Sequence, residues 1–363
     1  MDGRRDDTAY WLGFHLVPGI GATRLARLID SFGSLEAAWY ASQPALRASG
    51  LNERAAATLV KTRSELSLDA ELARVERAGV TILTMADDAY PRLLREIPSP
   101  PPVLYVRGEL TPADDGGVGI VGTRRASAYG REMALRLADG LARAGVTVVS
   151  GLARGIDGVA HGAALEAGGR TIAVLGCGLD TIYPPEHHKL AERIVAQGAL
   201  VSEFPLGTRP DAANFPVRNR LISGLSLGVV VVEAPARSGA LITANFAADQ
   251  GRTVFAVPGS ALTPTSSGTI QLLRDGATVA AHADDILAEL HLTTRQLTLE
   301  TRQVLPANGA EQGVLALLSA EPRHIDEVAL DCGLPIGQLS AVLLEMQLKG
   351  LVRNVGTQHY VRA

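Results

Sequence analysis

The stretch VTVVSGLARGIDGVAH, residues 146–161, decides the fold. It opens with a β-branched run of strand length, 146–149, and passes into a glycine-rich loop from Ser150 to Asp157. It continues as a helix that sets Asp157 and His161 one turn apart. Strand, glycine-rich loop, helix is the repeating unit of a parallel sheet with crossover helices. Such sheets receive ligands at the carboxyl ends of their strands.

The same unit recurs on both sides. Upstream, the strand 118–121 leads into Gly122-Thr123-Arg124-Arg125-Ala126-Ser127 and then a helix. Downstream, 172–175 leads into Gly176-Cys177-Gly178-Leu179-Asp180. Three glycine-rich loops at one edge predict a trough, with an arginine inside the first of them. Further strands are expected at 80–84, 103–106, 200–202, 229–232 and 254–256. The fold class read from this pattern is α/β, with a parallel sheet and crossover helices.

Beyond this core the pattern changes. Residues 1–66 read as short helices, with a tight turn at Pro18-Gly19-Ile20-Gly21 before the periodic Leu25, Leu28 and Ile29. A weaker echo, Ala48-Ser49-Gly50-Leu51-Asn52, precedes a second helix. The pair predicts a small pseudo-symmetric helical domain with a helix-hairpin-helix, and Arg24 and Arg27 favour phosphate contact there. The core is expected at 67–290 and a Thr/Gln-rich linker at 291–309. Residues 310–363 give three helical runs and a two-strand tail, the order of a winged helix-turn-helix.

Composition bounds the function. The 363 residues suit two or three domains, and 47% apolar against 20% charged residues excludes wholesale disorder. A net charge of −4 excludes a polyanion binder that works by bulk charge, so a nucleic-acid site must be a local cluster. Of 34 basic residues only Lys61, Lys189 and Lys349 are lysine. Two cysteines, Cys177 and Cys332, supply neither a disulfide framework nor a four-cysteine zinc site. The polar N-terminus and strand-sized apolar runs lead to the expectation of a soluble, cytoplasmic protein without a membrane partner.

Several motifs are set aside on context. Gly117-Val118-Gly119-Ile120-Val121-Gly122 matches G-x-G-x-x-G, but its first two glycines precede or begin the strand rather than follow it. Gly224-Leu225-Ser226-Leu227-Gly228 matches a nucleophile elbow in reversed order, with helix before strand. Asp157, His161, Glu186, His187 and His188 lack metal-site spacing, and Asp157 is expected to hydrogen-bond a neighbouring loop. Arg218-Asn219-Arg220, after Asn214-Phe215-Pro216, suits a phosphate backbone.

With these residues in view, the chain resembles the DprA/Smf family of bacterial DNA-processing proteins. The resemblance rests on Tyr90-Pro91-Arg92-Leu93-Leu94, Pro101-Pro102-Val103-Leu104-Tyr105, Gly122-Thr123-Arg124 and the 150–157 loop with His161. It continues through 218–226, Ser238-Gly239-Ala240-Leu241-Ile242-Thr243 and Phe255-Ala256-Val257-Pro258-Gly259. It implies an extended Rossmann-like core with a SAM-like helical domain before it and a DML1-like winged-helix domain after it; the core it implies binds single-stranded DNA and dimerises, protects and anneals single strands, and delivers DNA to the RecA recombinase in natural transformation. It implies no enzyme activity and no cofactor. The DNA-binding residues expected are Gly122, Thr123, Arg124, Ser150, Gly151, Gly155, Lys189, Arg218, Asn219 and Arg220. Lys189 stands in for a basic residue of the family because Pro185, Glu186 and two histidines follow Tyr183-Pro184 here. Leu273 and Val279 are the expected anchors of a homodimer. The competing reading is a Rossmann-like nucleotide phosphoribohydrolase with Glu233 as its acid, although the P-G-G-x-G-T loop is replaced by Pro258-Gly259-Ser260.

The presumed recognition helix, from about 335 to 349, has no arginine. Leu339, Val342, Leu343 and Met346 make its packing face, and Arg353, Asn354, Gln358, His359 and Arg362 form a modest wing. This domain is expected to supply partner contacts or auxiliary DNA binding, not sequence specificity.

Overall fold

The computed structural model describes residues 2–292, 309–319, 323–348, 352–354 and 358–362. Most of the expected linker, 293–308, lies outside them. The chain forms two compact units, Met1–Arg295 and Gln296–Ala363.

The first unit is built on a nine-stranded sheet: β1 Thr81–Thr84, β2 Val103–Gly108, β3 Val118–Val121, β4 Val148–Ser150, β5 Thr171–Val174, β6 Ala199–Ser202, β7 Gly228–Val231, β8 Thr253–Ala256 and β9 Thr278–Val279. All eight expected strands are present, shifted by a residue or two at their ends. The ninth was not expected, because two residues carry no period. The spatial order is β1-β2-β6-β5-β4-β3-β7-β8-β9. From β6 to β9 every pair is parallel, whereas β1–β2 and β2–β6 are antiparallel.

That order has one consequence for function. The chain builds outward from β3 through β4 and β5 to β6, then returns across the sheet and lays β7 on the other side of β3. Val118 to Val121 pair in register with Gly228 to Val231. The reversal between β3 and β7 is a topological switch point, where adjacent loops diverge and leave a crevice.

Strands β3, β5, β6 and β7 are buried on both faces, which explains why they are largely apolar without an alternating pattern. On one face, helices Ala128–Arg143, Ile156–Glu166 and Ala283–Glu289 pack through Leu137, Leu141, Ala160 and Ile286. On the other, Asn214–Gly224 and Gly239–Asp249 pack through Leu221, Ile222, Ala240 and Ala244.

Before the sheet come helices Asp2–His15, Ala22–Phe32, Leu35–Tyr40, Gln43–Ala48, Glu53–Glu65 and Leu68–Arg77. Phe14 and Trp39 meet edge to face at 5.2 Å in a cluster that also holds Leu25, Leu28, Leu46 and Leu59. The first helix belongs to two cores, since Ala9 and Leu12 pack with Tyr105 and Leu200 of the sheet. At the first hairpin, Arg24 folds back to donate to the Gly19 carbonyl, while Arg27 is exposed.

The second unit runs helix Gly309–Leu317, β10 Arg323–His324, helix Ile325–Cys332, helix Ile336–Leu348, β11 Val352–Asn354 and β12 His359–Arg362, with sheet order β10-β12-β11. This is a winged helix. Leu339, Leu343 and Met346 are fully buried against Val314 and Val328, with Val342 partly buried beside them. The outward face presents Gln338, Ser340, Leu344, Glu345 and Gln347. Lys349 and the side chains of Arg353 and Arg362 lie outside the described residues.

Candidate nucleic-acid interface

A cleft of about 590 Å³ opens at the switch point. One wall is the loop after β3, Gly122 to Arg125. The other is the segment after β7, with Pro235, Arg237 and Ser238 leading into helix Gly239–Asp249. Phe215, Arg218, Asn219 and Ile222 of helix Asn214–Gly224 lie between, and Ala153 and Asp157 close one end.

The loop after β4 is organised around Asp157. Its carboxylate accepts from the backbone N–H groups of Gly151 at 3.1 Å and Ala153 at 3.3 Å. Leu152 between them takes φ 57°, the left-handed conformation that turns both N–H groups to one side, and its side chain is buried. Burial pushes the Asp157 carboxyl up, opposed by the charge of Arg218 and by these N–H donors. Gly155, at φ 78°, comes so close to Thr123 that no side chain fits, and Ile156 N–H donates to the Thr123 carbonyl at 3.3 Å. The loops after β3 and β4 are thereby joined.

His161 lies fully buried one turn beyond Asp157. The Thr171 hydroxyl donates to the Val148 carbonyl at 2.7 Å, so it accepts from His161 Nδ1–H, also at 2.7 Å. Nε2 is left with a lone pair and no hydrogen-bond partner. Burial, reinforced by the charges of His187 and Arg218, lowers His161 to about 3.

The residues expected to bind DNA fall into three groups. Gly122, Thr123, Arg124 and Asn219 line the cleft, and the exposed Arg124 guanidinium sits 5.3 Å from the centre of the Phe215 ring. Ser150, Gly151 and Arg218 are buried beneath this surface, and the half-buried Gly155 packs there against the backbone of Thr123 and Arg124. The Ser150 hydroxyl donates to the Ile120 carbonyl at 2.6 Å. Arg218 is 3% exposed, donates to the Val174 carbonyl, and stacks 5.8 Å from the Phe215 ring. Burial lowers Arg218 to about 10, partly offset by Asp157, so it stays charged at neutral pH. It forms the floor of the cleft. Arg220 and Lys189 line no part of the cleft. Arg220 pairs with Glu203 on the opposite side of its helix, and the exposed Lys189 stands on helix His188–Gln197.

Sequence reasoning missed several residues of the site. Arg125 and Arg237 are exposed on opposite walls of the cleft. Phe215 takes both guanidinium contacts and lies 5.7 Å from Tyr183. The expected third loop, 176–180, is not a wall, although Gly176 backs the Phe215 ring. Its place is taken by the segment after β7, because β7 and not β5 is the neighbour of β3 on that side. Arg237 was visible only as a basic residue in a turn; nothing in its sequence context places it opposite Arg124.

The features set aside in the sequence have structural roles. Ser226 is buried and donates to the Ile222 carbonyl at 2.7 Å. Both carboxylate oxygens of Glu233 accept hydrogen bonds from the protein, which argues against a free catalytic acid. No single described helix is long and apolar enough to cross a membrane.

An open, mostly parallel sheet with a basic crevice at its switch point, joined to a winged helix, defines a Rossmann-like protein with a second, helix-turn-helix-type module. The sequence narrows this class to one family. Residues 81–291 match the DNA recombination-mediator protein A family, and residues 299–356 match the DprA winged helix domain. Protein Smf of Synechocystis is 37% identical over 98% of this chain and 99% of its own length. Among solved structures, DNA processing protein A of Streptococcus pneumoniae superposes with a TM-score of 0.68 at 33% identity, covering 77% of this chain and 97% of that one. DNA processing protein A of Helicobacter pylori, described for its single-stranded DNA binding mode, gives 0.53 at 31% identity over 58% and 95% of the two chains. The chain belongs to the DNA recombination-mediator protein A family.

Proposed function

We propose that the cleft binds single-stranded DNA and that the protein loads the RecA recombinase onto strands it protects, as a mediator of recombination in natural transformation. The observation that carries the DNA part is the Arg124–Phe215 stack at the mouth of the cleft. An exposed guanidinium beside loop N–H groups receives a phosphate, and the Phe215 ring beneath it holds the guanidinium in place. Arg125 and Arg237 extend the positive rim on both walls. The likeness to the Helicobacter pylori protein supports the same reading.

The finer parts of the proposal rest on family membership. They are RecA as partner, the dimer through Leu273 and Val279, and the division into a helical domain at 1–66, a DNA-binding core at 67–290, a linker at 291–309 and a winged-helix domain at 310–363. Val279 on the terminal strand β9 is 49% exposed, which leaves it free to meet a second copy. The DNA-binding set is refined to Gly122, Thr123, Arg124, Arg125, Phe215, Asn219 and Arg237, with Gly151, Gly155 and Arg218 as the scaffold beneath.

The test is a salt titration of binding to single- and double-stranded oligonucleotides by the parent protein and Arg124→Ala. Losing a charge-assisted phosphate contact of ~1.5–3 kcal/mol weakens single-strand affinity roughly 10- to 100-fold. It also reduces the slope of log K against log salt by about one phosphate's share. Unchanged affinity and slope would reject the site. Release of free base from nucleoside monophosphates would favour the phosphoribohydrolase instead.

A further inference from the structure

Glu233 follows β7, is 3% exposed, and has no cation within ion-pair distance among the described residues. A buried carboxylate without a counter-ion costs free energy that an apolar residue would avoid, so its hydrogen bonds must compensate. Those bonds reach two separate loops. Oε2 accepts from the Ser127 backbone N–H at 2.9 Å, and Oε1 accepts from the Thr265 hydroxyl. The Glu233 backbone carbonyl accepts from Thr123 N–H at 2.7 Å. One residue therefore grips the cleft loop at Thr123 and again at Ser127, with Arg124 and Arg125 spanning the gap between the two grips. Ser127 in turn caps helix Ala128–Arg143 by accepting from Gly130 N–H at 3.0 Å. The helix packs directly over the carboxylate, because residue 130 is glycine and any Cβ there would strike the Glu233 side chain.

We infer that Glu233 is a positioning residue for DNA binding: it fixes both ends of the 123–127 loop so that the Arg124 guanidinium is held over Phe215 before DNA arrives. Preorganisation of this kind lowers the ordering cost paid on binding. The inference rests on the reading of the cleft as the single-strand site.

The test compares Glu233→Ala, Glu233→Gln, Arg124→Ala and the double variant Arg124→Ala/Glu233→Ala in the full chain. Three quantities are measured: single-strand affinity, its salt slope, and hydrogen exchange of the amides at 123–127 without DNA. Glu233→Ala is expected to lose about as much affinity and slope as Arg124→Ala, and the double variant no more than either, because both remove the same contact. Glu233→Gln is expected to restore most of the loss, since a carboxamide oxygen still accepts from Ser127 N–H and its NH2 group can donate to the Thr265 hydroxyl. A residue that merely stabilised the fold would give additive losses and an unchanged slope in the single variant. Either result overturns the inference. If Glu233→Ala does not fold, Thr265→Val removes one of the two carboxylate bonds and is read in the same way. Should Arg124→Ala itself bind normally, the cleft assignment fails. Faster exchange at Ser127 in Glu233→Ala, where Thr123 keeps the backbone carbonyl of residue 233 as its acceptor, would then still show the brace, and unchanged exchange at Ser127 would remove that as well.

Discussion

The guanidinium of Arg218 occupies the space that a side chain on residue 151 would need. Gly151 is where the chain leaves β4, and its N–H donates to Asp157. The arginine passes under it to reach the Val174 carbonyl of β5. One close approach thus ties helix Asn214–Gly224, which carries Phe215 and Asn219 into the cleft, to the strands on the far side of the switch point.

Gly151→Ala is therefore expected to cost stability, although the residue is small and makes no side-chain contact. Overpacking at a buried position costs ~1–3 kcal/mol, and a displaced Arg218 adds an unpaired buried carbonyl. Chemical denaturation checks this. An unaltered midpoint would mean that Arg218 moves aside freely and does not brace the cleft.

His161 makes stability depend on pH. Its folded value of about 3 lies below the ordinary 6.5, so between these values the unfolded chain takes up a proton that the native protein refuses. Its contribution is fully present above about pH 6.5 and is lost progressively as pH falls towards 3. Asp157, pushed up by burial, acts with the opposite sign in the acid range, and His15 is also lowered, so the comparison must be between variants. His161→Asn keeps a donor for the Thr171 hydroxyl but does not titrate. Its melting temperature is expected to fall less than that of the parent between pH 7 and pH 4.5. Parallel curves would exclude His161 as the source.

Leu273→Arg tests the self-association surface. Leu273 is half-buried on helix Ser267–Arg274, next to the sheet edge that ends in Val279. A charge in the centre of an apolar contact between copies leaves an uncompensated desolvated group. Light scattering is expected to report monomers while the circular dichroism spectrum stays native. A dimer that persists would place the interface elsewhere.

Removal of residues 310–363 is expected to leave most single-strand affinity intact. The outward face of helix Ile336–Leu348 carries no basic side chain among the described residues, and Arg323 is engaged by Asp331 and the Leu317 carbonyl. A loss of tenfold or more from a folded core, measured by fluorescence anisotropy, would assign DNA contact to the winged helix.

The sequence by itself determined eight of the nine strands of the large sheet, where the glycine-rich loops fall and that a winged helix follows the core, because these are local properties. A run such as Val229 to Val232 is β-branched and apolar throughout, and Leu339, Leu343 and Met346 follow one helical face. It also identified Arg124, which stands in a loop between strand and helix. Only the tertiary structure decided what stands opposite that loop. Periodicity says which face of a strand is buried but not which strand lies beside it, so the pairing of β3 with β7, and with it Arg237 and Glu233, had no local signal. Arg218 and Arg220 show the same division within three residues. Both read as basic side chains near a helix N-terminus, but two positions on a helix are 200° apart. The fold turned one inward beneath Gly151 and the other towards Glu203, and left Phe215 to face Arg124 across the opening.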